Sequence, residues 1–464
     1  LCARATPSRV VYPASQVLTR LSKNAPSNVA RVIRGLFAVL VAVASHSAAA
    51  QPLICVAEGT PVEAYSARLA LASAEPQLAN VDERWQRTAT NGSNIRRGEP
   101  ITLTWSLVPE GTTVGRALGS NNESNDPSDL RSYLSANYGN EAAAINILQA
   151  ALDGWSQGPG ITFLYEPNDD GVDLNSARGV LGVRGDIRIA GHTIDGNSKT
   201  VAYAFFPDSG GDIVIDTDDA FNAIATNLRN VVAHESGHSI GLGHVCPVDQ
   251  SKLMEPFITT SFDGPQFDDL LGAHRSYGDN AEENDVVDEA VDIGFAVGTT
   301  LVADRLALDD NSDDDWYSLP RGLLSEATIT LTPAGAPYPF RAISDAICTD
   351  VSTILYDPRD NQDMSLTVFD FDGSTIVADA DEFDEGGVEA LSDVRLSKFG
   401  GFIRVGASGV DSVQPYELTV TLVPEPSSTL LTAAAVATLA LLVRRQARPG
   451  PSPLQKSPSP LQVL

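Results

Sequence analysis

The chain has 464 residues, with 60 Asp and Glu against 31 Lys and Arg, for a formal charge of −29. A hydrophobic share of 43% excludes a wholly disordered chain, and the length suits about two or three domains. The acidity argues against nucleic acid or an anionic lipid surface as the main partner, and four cysteines are too few for a disulfide-built scaffold.

In chain order, residues 1–50 read as an export signal. Arg31 and Arg34 precede an apolar run from Leu36 to Ala44, and Ala48, Ala49 and Ala50 offer small residues for cleavage before Gln51. Residues 51–84 show no sustained period and read as a lead-in or pro-segment. From Arg84 and Trp85 the pattern tightens. Ile101 to Leu107 alternates apolar and polar positions, as a half-buried strand does. Asn125 to Ser128 offers a helix start, and helical spacing of Ile145, Leu148, Leu152 and Trp155 carries one helix to about Gln157. Strands are predicted at Ile161 to Tyr165, Asp186 to Ala190, Val201 to Phe206 and Asp212 to Asp216. Two more helices follow, from about Ala220 to Gly241 and from about Gln266 to Tyr277.

After Gly278 the composition shifts, and Asn280 to Asp285 reads as a linker. Residues 281–423 hold 29 acids and 7 bases, with short alternating runs such as Ala327 to Thr332, Ser365 to Asp370 and Tyr416 to Leu422. Several short strands between turn signals predict an all-β sandwich. At the end, Pro424-Glu425-Pro426 precedes a mostly apolar run from Thr429 to Val443, then Arg444 and Arg445. The run is short for a membrane span, which takes about 20 residues, and the basic pair after it favours a cytoplasmic C-terminus with the body outside. Residues 446–464 read as a disordered tail.

One stretch carries the chemistry: His234-Glu235-x-x-His238-x-x-Gly241-x-x-His244. Helix positions four apart share a face, so His234 and His238 can bind one metal ion. Glu235 then stands beside the ion, where it can take a proton from water. Gly241 lets the chain leave the helix in a left-handed conformation, and the turn brings back His244. Three protein ligands with an open fourth position are what a catalytic zinc site requires. Three of the six histidines fall within these eleven residues.

This pattern, with Met254 ten residues beyond His244, resembles the metzincins and their methionine turn. Gly237, Leu253-Met254-x-Pro256 and Asp268-Asp269-x-x-Gly272 with Tyr277-Gly278 make the segment from 85 to 279 most similar to a matrixin. The resemblance implies an α+β metzincin catalytic domain, with a twisted, mostly parallel sheet and three helices. It implies catalytic zinc on His234, His238 and His244, Glu235 as the proton carrier, and a protein or peptide substrate extended beside an edge strand. It also implies a structural calcium, for which Asp195, Gly196, Asp216 and Asp219 are the candidates; a solvated loop is the alternative. The family's second zinc looks lost, because Tyr203 and Val214 replace two of its histidines, which leaves His192 an ordinary polar residue. His274 is placed on the surface. Cys55 in Leu53-Ile54-Cys55-Val56-Ala57 does not match the cysteine switch of the family.

Residues 280–423 resemble the bacterial pre-peptidase C-terminal domain through Glu283-Asn284-Asp285, Asp313 to Tyr317, Ser365 to Asp370 and Tyr416 to Val420. There Asp313, Asp314 and Asp315 are either calcium ligands or a solvated acidic turn. Residues 424–445 resemble the PEP-CTERM sorting tag with its transmembrane segment, which implies an exosortase-type enzyme as partner and export from a Gram-negative bacterium. Together these resemblances imply a secreted zinc metalloendopeptidase. The alternative is a surface-anchored structural or adhesive protein with an inactive metzincin domain.

Overall fold

The computed structural model describes residues 83–117, 123–245, 250–322, 324–341 and 353–424, together with the backbone of Leu53–Ala57. The export signal, the sorting tag, Cys246 and Cys348 lie outside the described residues. Among the described residues no helix is long and apolar enough to cross a membrane.

The first half is built on one seven-stranded sheet. Its strands are β1 (Leu53–Ala57), β4 (Ile101–Leu107), β5 (Ile161–Tyr165), β6 (Ile187–His192), β7 (Thr200–Ala204), β8 (Ile213–Asp216) and β9 (Phe257–Ile258), and a separate small hairpin pairs β2 (Arg87–Thr88) with β3 (Gly92–Ser93). The order is β5-β4-β6-β8-β7-β1-β9. Pairings β4–β5, β4–β6, β6–β8 and β1–β9 are parallel, and only β7–β8 and β1–β7 are antiparallel. The mostly parallel sheet of the sequence reading is present.

The reading of three helices needs correction. Four α-helices are described here: α1 (Leu130–Tyr138), α2 (Glu141–Asp153), α3 (Ala225–Ser239) and α4 (Phe267–Tyr277). The stretch predicted as one helix breaks at Gly139, which takes φ 85°, and Asn140 then caps α2 by accepting from the Ala143 N–H at 2.9 Å. A glycine at φ > 0 followed by a capping side chain ends one helix and starts the next. Helices α2 and α3 lie against the sheet over a core of Leu103, Trp105, Leu148, Leu152, Trp155, Leu228 and Val232.

The lead-in also differs from expectation. A strand, β1, forms within it and pairs antiparallel with β7, Cys55 lying opposite Ala202. The edge of β7 away from β8 is therefore covered by β1, with β9 parallel on the far side of β1.

The second half is all β. Strands β10 (Thr300–Leu308), β19 (Gln414–Pro424), β12 (Ser325–Pro333) and β17 (Glu389–Leu396) make one four-stranded sheet in that order. Strands β11 (Asp314–Leu319), β18 (Gly401–Gly409), β15 (Gln362–Asp370) and β16 (Ile376–Ala380) make another, and β13 (Tyr338–Arg341) pairs with β14 (Thr353–Tyr356). One core draws Ile329, Leu331, Leu418 and Val420 from the first sheet and Leu366, Val368, Ile403 and Val405 from the second. This shared core is compatible with the expected sandwich.

The two halves touch. Arg275 of α4 donates to the Asp309 carbonyl at 2.6 Å and pairs with Asp411. Asp279 accepts from the Ala307 N–H at 2.9 Å. His274, placed on the surface by the sequence reading, is buried here: its Nδ1 lies 3.2 Å from the Gly278 carbonyl, and burial lowers its pKa to about 4.

Candidate metal centre

Helix α3 carries His234, Glu235 and His238, all completely buried. Trp155 fixes the helix from below by donating Nε1–H to the Ala233 carbonyl at 2.9 Å. The helix ends in a tight reversal in which Gly241 N–H donates to His238 O and Leu242 N–H to Gly237 O. Gly241 has φ 104°, and a Cβ there would stand 1.7 Å from the Glu83 carbonyl oxygen, so conformation and space both demand glycine. Two aromatic polar tips hold this exit. Trp85 Nε1–H donates to Ser239 O at 2.8 Å, and Tyr277 O–H donates to Ile240 O at 2.7 Å while accepting from the Trp85 N–H. The sequence reading marked both residues as edges of a domain. Their hold on the metal-bearing turn leaves no local signal, because the bonds join positions 154 and 37 residues apart.

The reversal brings His244 to the other two histidines. The Nε2 atoms are 3.0 Å apart for His234–His238, 3.3 Å for His234–His244 and 3.2 Å for His238–His244. A tetrahedral zinc with bonds of about 2.0–2.1 Å to nitrogen has ligand–ligand edges of about 3.3 Å, so the residues present fit that ion. The outer nitrogens agree. His234 Nδ1 lies 2.7 Å from Leu253 O and His238 Nδ1 lies 2.6 Å from Leu242 O. A carbonyl accepts only from an N–H, so these two Nδ1 atoms carry the protons and their Nε2 lone pairs face inward. Burial lowers the pKa of all three, to about 4 for His234, and for His238 and His244 the neighbouring histidines add to the effect. Neutral imidazoles are the form that binds a cation.

Met254 packs beneath. A Cβ on Gly237 would meet Met254 Sδ at 2.3 Å and Trp155 at 2.9 Å, so the glycine in the helix makes room for the methionine. The turn itself is pinned by Asp269, whose two oxygens accept from Leu253 N at 2.9 Å and Met254 N at 3.0 Å. Asp269 also forms a capping box with Gln266 at the start of α4. It thus orients Leu253, whose carbonyl orients His234. The sequence reading noted Asp269 as a point of resemblance and missed this positioning role.

The other predicted site residues fare differently. Asp195 accepts from Thr200 N at 3.1 Å and Thr200 Oγ1 at 3.0 Å, Asp216 from Asp218 N at 2.9 Å, and Asp219 from Ser198 N and Phe221 N, both at 2.8 Å. These side chains brace their own loop, and Gly196 takes φ 85° within it. Among the described residues two groups have metal-ligand spacing, the histidine triad and Glu282–Asp313–Asp315; the proposed calcium residues are not a third. His192, read as an ordinary polar residue rather than a ligand, is buried and belongs to no group with metal-ligand spacing among the described residues. It lies 3.4 Å from Glu123, which also accepts from the Tyr203 hydroxyl at 3.0 Å.

Residues 131–278 match the family model described as Matrixin. Matrix metalloproteinase-2 of Drosophila melanogaster is 35% identical over 109 residues, which cover 21% of this chain and 13% of that protein. The hatching enzyme of Paracentrotus lividus is 32% identical over 141 residues, covering 29% and 22%. Karilysin of Tannerella forsythia is 29% identical over 142 residues, covering 29% and 28%. The chain therefore spans less than a third of the length of each of these relatives.

Proposed function

We propose that this chain, whose histidine-bearing domain is a matrixin-like metzincin, is a secreted zinc metalloendopeptidase acting on extracellular proteins. The observation that carries the reading is the convergence of three buried, inward-facing Nε2 atoms beside Glu235. Zinc bound there supplies Lewis-acid activation of water and of the peptide carbonyl. His234, His238 and His244 hold the ion, and the carbonyls of Leu253 and Leu242 keep the first two in the ligating tautomer. Glu235, on the same helix, takes the proton of the attacking water and returns it to the leaving amine. Calcium at Asp195, Gly196, Asp216 and Asp219 belongs to this reading as a structural ion. The signal at 1–50, the tag at 424–445 and an exosortase-type partner would place the protein outside a Gram-negative cell. The acidic second half would serve adhesion or support.

The substrate would pair with β7 in the manner of an added strand. Because β1 holds that edge, a chain lacking residues 51–57 should cleave peptides with a higher kcat/KM than one that keeps them, and an equal rate would show that β1 does not obstruct.

The rival reading, an adhesive protein with a silent metzincin domain, is separated by cleavage of casein or a quenched-peptide library, with Glu235→Ala as control. Cleavage by the wild type, lost in Glu235→Ala with zinc content unchanged, is the expected outcome. Purified protein that holds one zinc and cleaves nothing would sink the protease reading.

A further inference from the structure

A cavity of about 940 Å³ opens where β7 runs into the hairpin that leads to β8. Its walls come from four separate stretches of chain, within residues 84–87, 114–117, 174–179 and 205–210. Each of the first three brings arginine: Arg84 and Arg87, Arg116, and Arg178. Two carboxylates, Asp186 and Asp208, also line it. In a chain of charge −29, an excess of guanidinium groups at one cavity reverses the general sign.

The protein leaves most of that positive charge unused. Arg84 is occupied, since its guanidinium donates to the Ile95 carbonyl at 2.6 Å and the Trp85 carbonyl at 3.3 Å. In the strand and loop nearby, Arg184 has Asp170 and Arg188 has Asp169. Arg87, Arg116 and Arg178 are exposed, and among the described residues none of them has an ion pair. Asp186 does not serve them. It is buried, and its oxygens accept from Ala89 N at 2.8 Å, Thr104 N at 3.0 Å and Thr104 Oγ1 at 2.8 Å. The wall that carries Arg178 is held in place: Leu174 N donates to Thr113 O at 2.9 Å, Asn175 N to Asp212 Oδ2 at 2.7 Å, and Arg184 Nη1 to Arg178 O at 3.0 Å. A fixed wall spares a ligand part of the ordering that binding otherwise requires.

Two contacts tie the cavity to the metal centre. Trp85, in its wall, donates to the carbonyl of Ser239, the residue after His238. Phe206, between the lining residues Phe205 and Pro207, stands edge-on to the His238 ring with centroids 6.1 Å apart. Strand β1 shows which way a strand runs on this edge. It is antiparallel to β7, with Leu53 opposite Ala204 and Val56 opposite Thr200. A peptide pairing with β7 in that direction has its N-terminal end at Ala204, one residue before the cavity wall begins. Extended chain advances about 3.3 Å per residue, so roughly the next two to four residues on that side run past Phe205 and over the cavity.

We infer that this cavity is a subsite for acidic residues, in which Arg87, Arg116 and Arg178 bind Asp or Glu side chains on the N-terminal side of the scissile bond. The inference rests on the protease reading and on substrate pairing along β7. Guanidinium groups meet carboxylates through paired N–H donors, a fit that lysine does not offer. Acidic peptides are repelled by the molecule as a whole, so a preference for them has to arise locally, at this cavity.

The test uses the full chain loaded with zinc. A neutral quenched peptide that the wild type cleaves is remade with Asp at each position on both sides of the bond, and with Asn at the same positions. The Asp-to-Asn ratio of kcat/KM is read within each protein, so hindrance by β1 cancels. The wild type should favour Asp about tenfold at N-terminal positions beyond the paired stretch, through KM, and should show no gain on the C-terminal side. The preference should shrink as salt rises. Arg116→Ala/Arg178→Ala should lose it while cleaving the neutral parent as the wild type does, since both side chains are exposed and unpaired. Arg116→Lys/Arg178→Lys should keep part of it. A wild type without the preference, or a double alanine variant that keeps it, overturns the inference. Failure of the protease reading shows itself differently, as no cleavage of any peptide. Fluorescence anisotropy of labelled tetra-aspartate and tetra-asparagine peptides on the Glu235→Ala chain then decides. Tighter binding of the acidic peptide, lost when Arg116→Ala/Arg178→Ala is added, keeps the site, and equal binding of the two peptides overturns it.

Discussion

The histidine triad and the acid cluster of Glu282, Asp313 and Asp315 are both groups of like side chains, wholly or largely buried, and they bear burial in opposite ways. The imidazoles shed their charge, and two of them hand their remaining N–H to a carbonyl, so the triad is tolerable without an ion and ready for one. The carboxylates keep unpartnered oxygens and repel one another. A fold can hold the first arrangement in waiting; the second demands protons or a cation. The contrast separates a group that is neutral when buried from one that is buried only at the cost of neutralising its charge.

His274 offers the largest way to sharpen that contrast, since it is a buried imidazole facing a carbonyl with no partner histidines around it. Its pKa is lowered from 6.5 to about 4. A lowered folded-state pKa contributes stability above pH 6.5, and that contribution is lost as pH falls toward 4, where the unfolded chain has taken up the proton and the fold resists it. The shift corresponds to roughly 3 kcal/mol. The difference in melting temperature between wild type and His274→Asn should therefore narrow as pH drops through this window. A constant difference would show that burial alone does not explain neutral imidazoles in this protein, and the account of the triad would weaken with it.

Asp269 tests the other support of the triad, its positioning. Asp269 now serves three amides, Met254 N at Oδ1 and Leu253 N and Gln266 N at Oδ2, and Asp269→Asn would turn an NH2 toward one side or the other. Loss of an outer partner of a metal ligand typically costs 10–100-fold in metal affinity, about 1–3 kcal/mol. Competition for zinc against a chelator should show this loss with the fold retained. Unchanged zinc affinity would mean that Leu253 orients His234 without help from Asp269.

The same contrast explains what the sequence disclosed. The triad is contiguous: three ligands, a proton carrier and the glycine of the turn lie within His234–His244, so helix periodicity places His234 and His238 together and the glycine turn returns His244. Strands such as Ile101–Leu107 announce themselves by alternation. The acid cluster joins Glu282 to Asp313 and Asp315 across a linker and a strand, and no local period records that meeting. Asp313, Asp314 and Asp315 looked equivalent in the sequence, and only the pleat of β11 sends Asp314 elsewhere. The break at Gly139 was masked by the helical spacing that resumes at Glu141, although Gly139-Asn140 is itself a stop followed by a cap. Strand β1 was missed because five apolar residues without alternation carry little signal, and its pairing with β7 spans about 150 positions. His274 looked exposed because α4 is amphipathic, yet its polar face is covered by the second half of the chain.

The smallest effect comes from an ion pair between α4 and the second half. Arg275 is 7% exposed at its side chain, and Asp411 is 60% exposed. Asp411 is thus a carboxylate that does have a cation beside it, at the same junction where Glu282, Asp313 and Asp315 have none. Exposure should make it count for little, since water already solvates it and salt screens the attraction. Arg275 also keeps its bond to the Asp309 carbonyl when Asp411 is gone. Asp411→Ala should accordingly cost at most about 1 kcal/mol in denaturant melts, and less at high salt. A cost near that of a buried pair, about 3 kcal/mol or more, would mean that the junction is drier than its exposed rim suggests. The distinction between paired acids at the rim and unpaired acids beneath it would then fail.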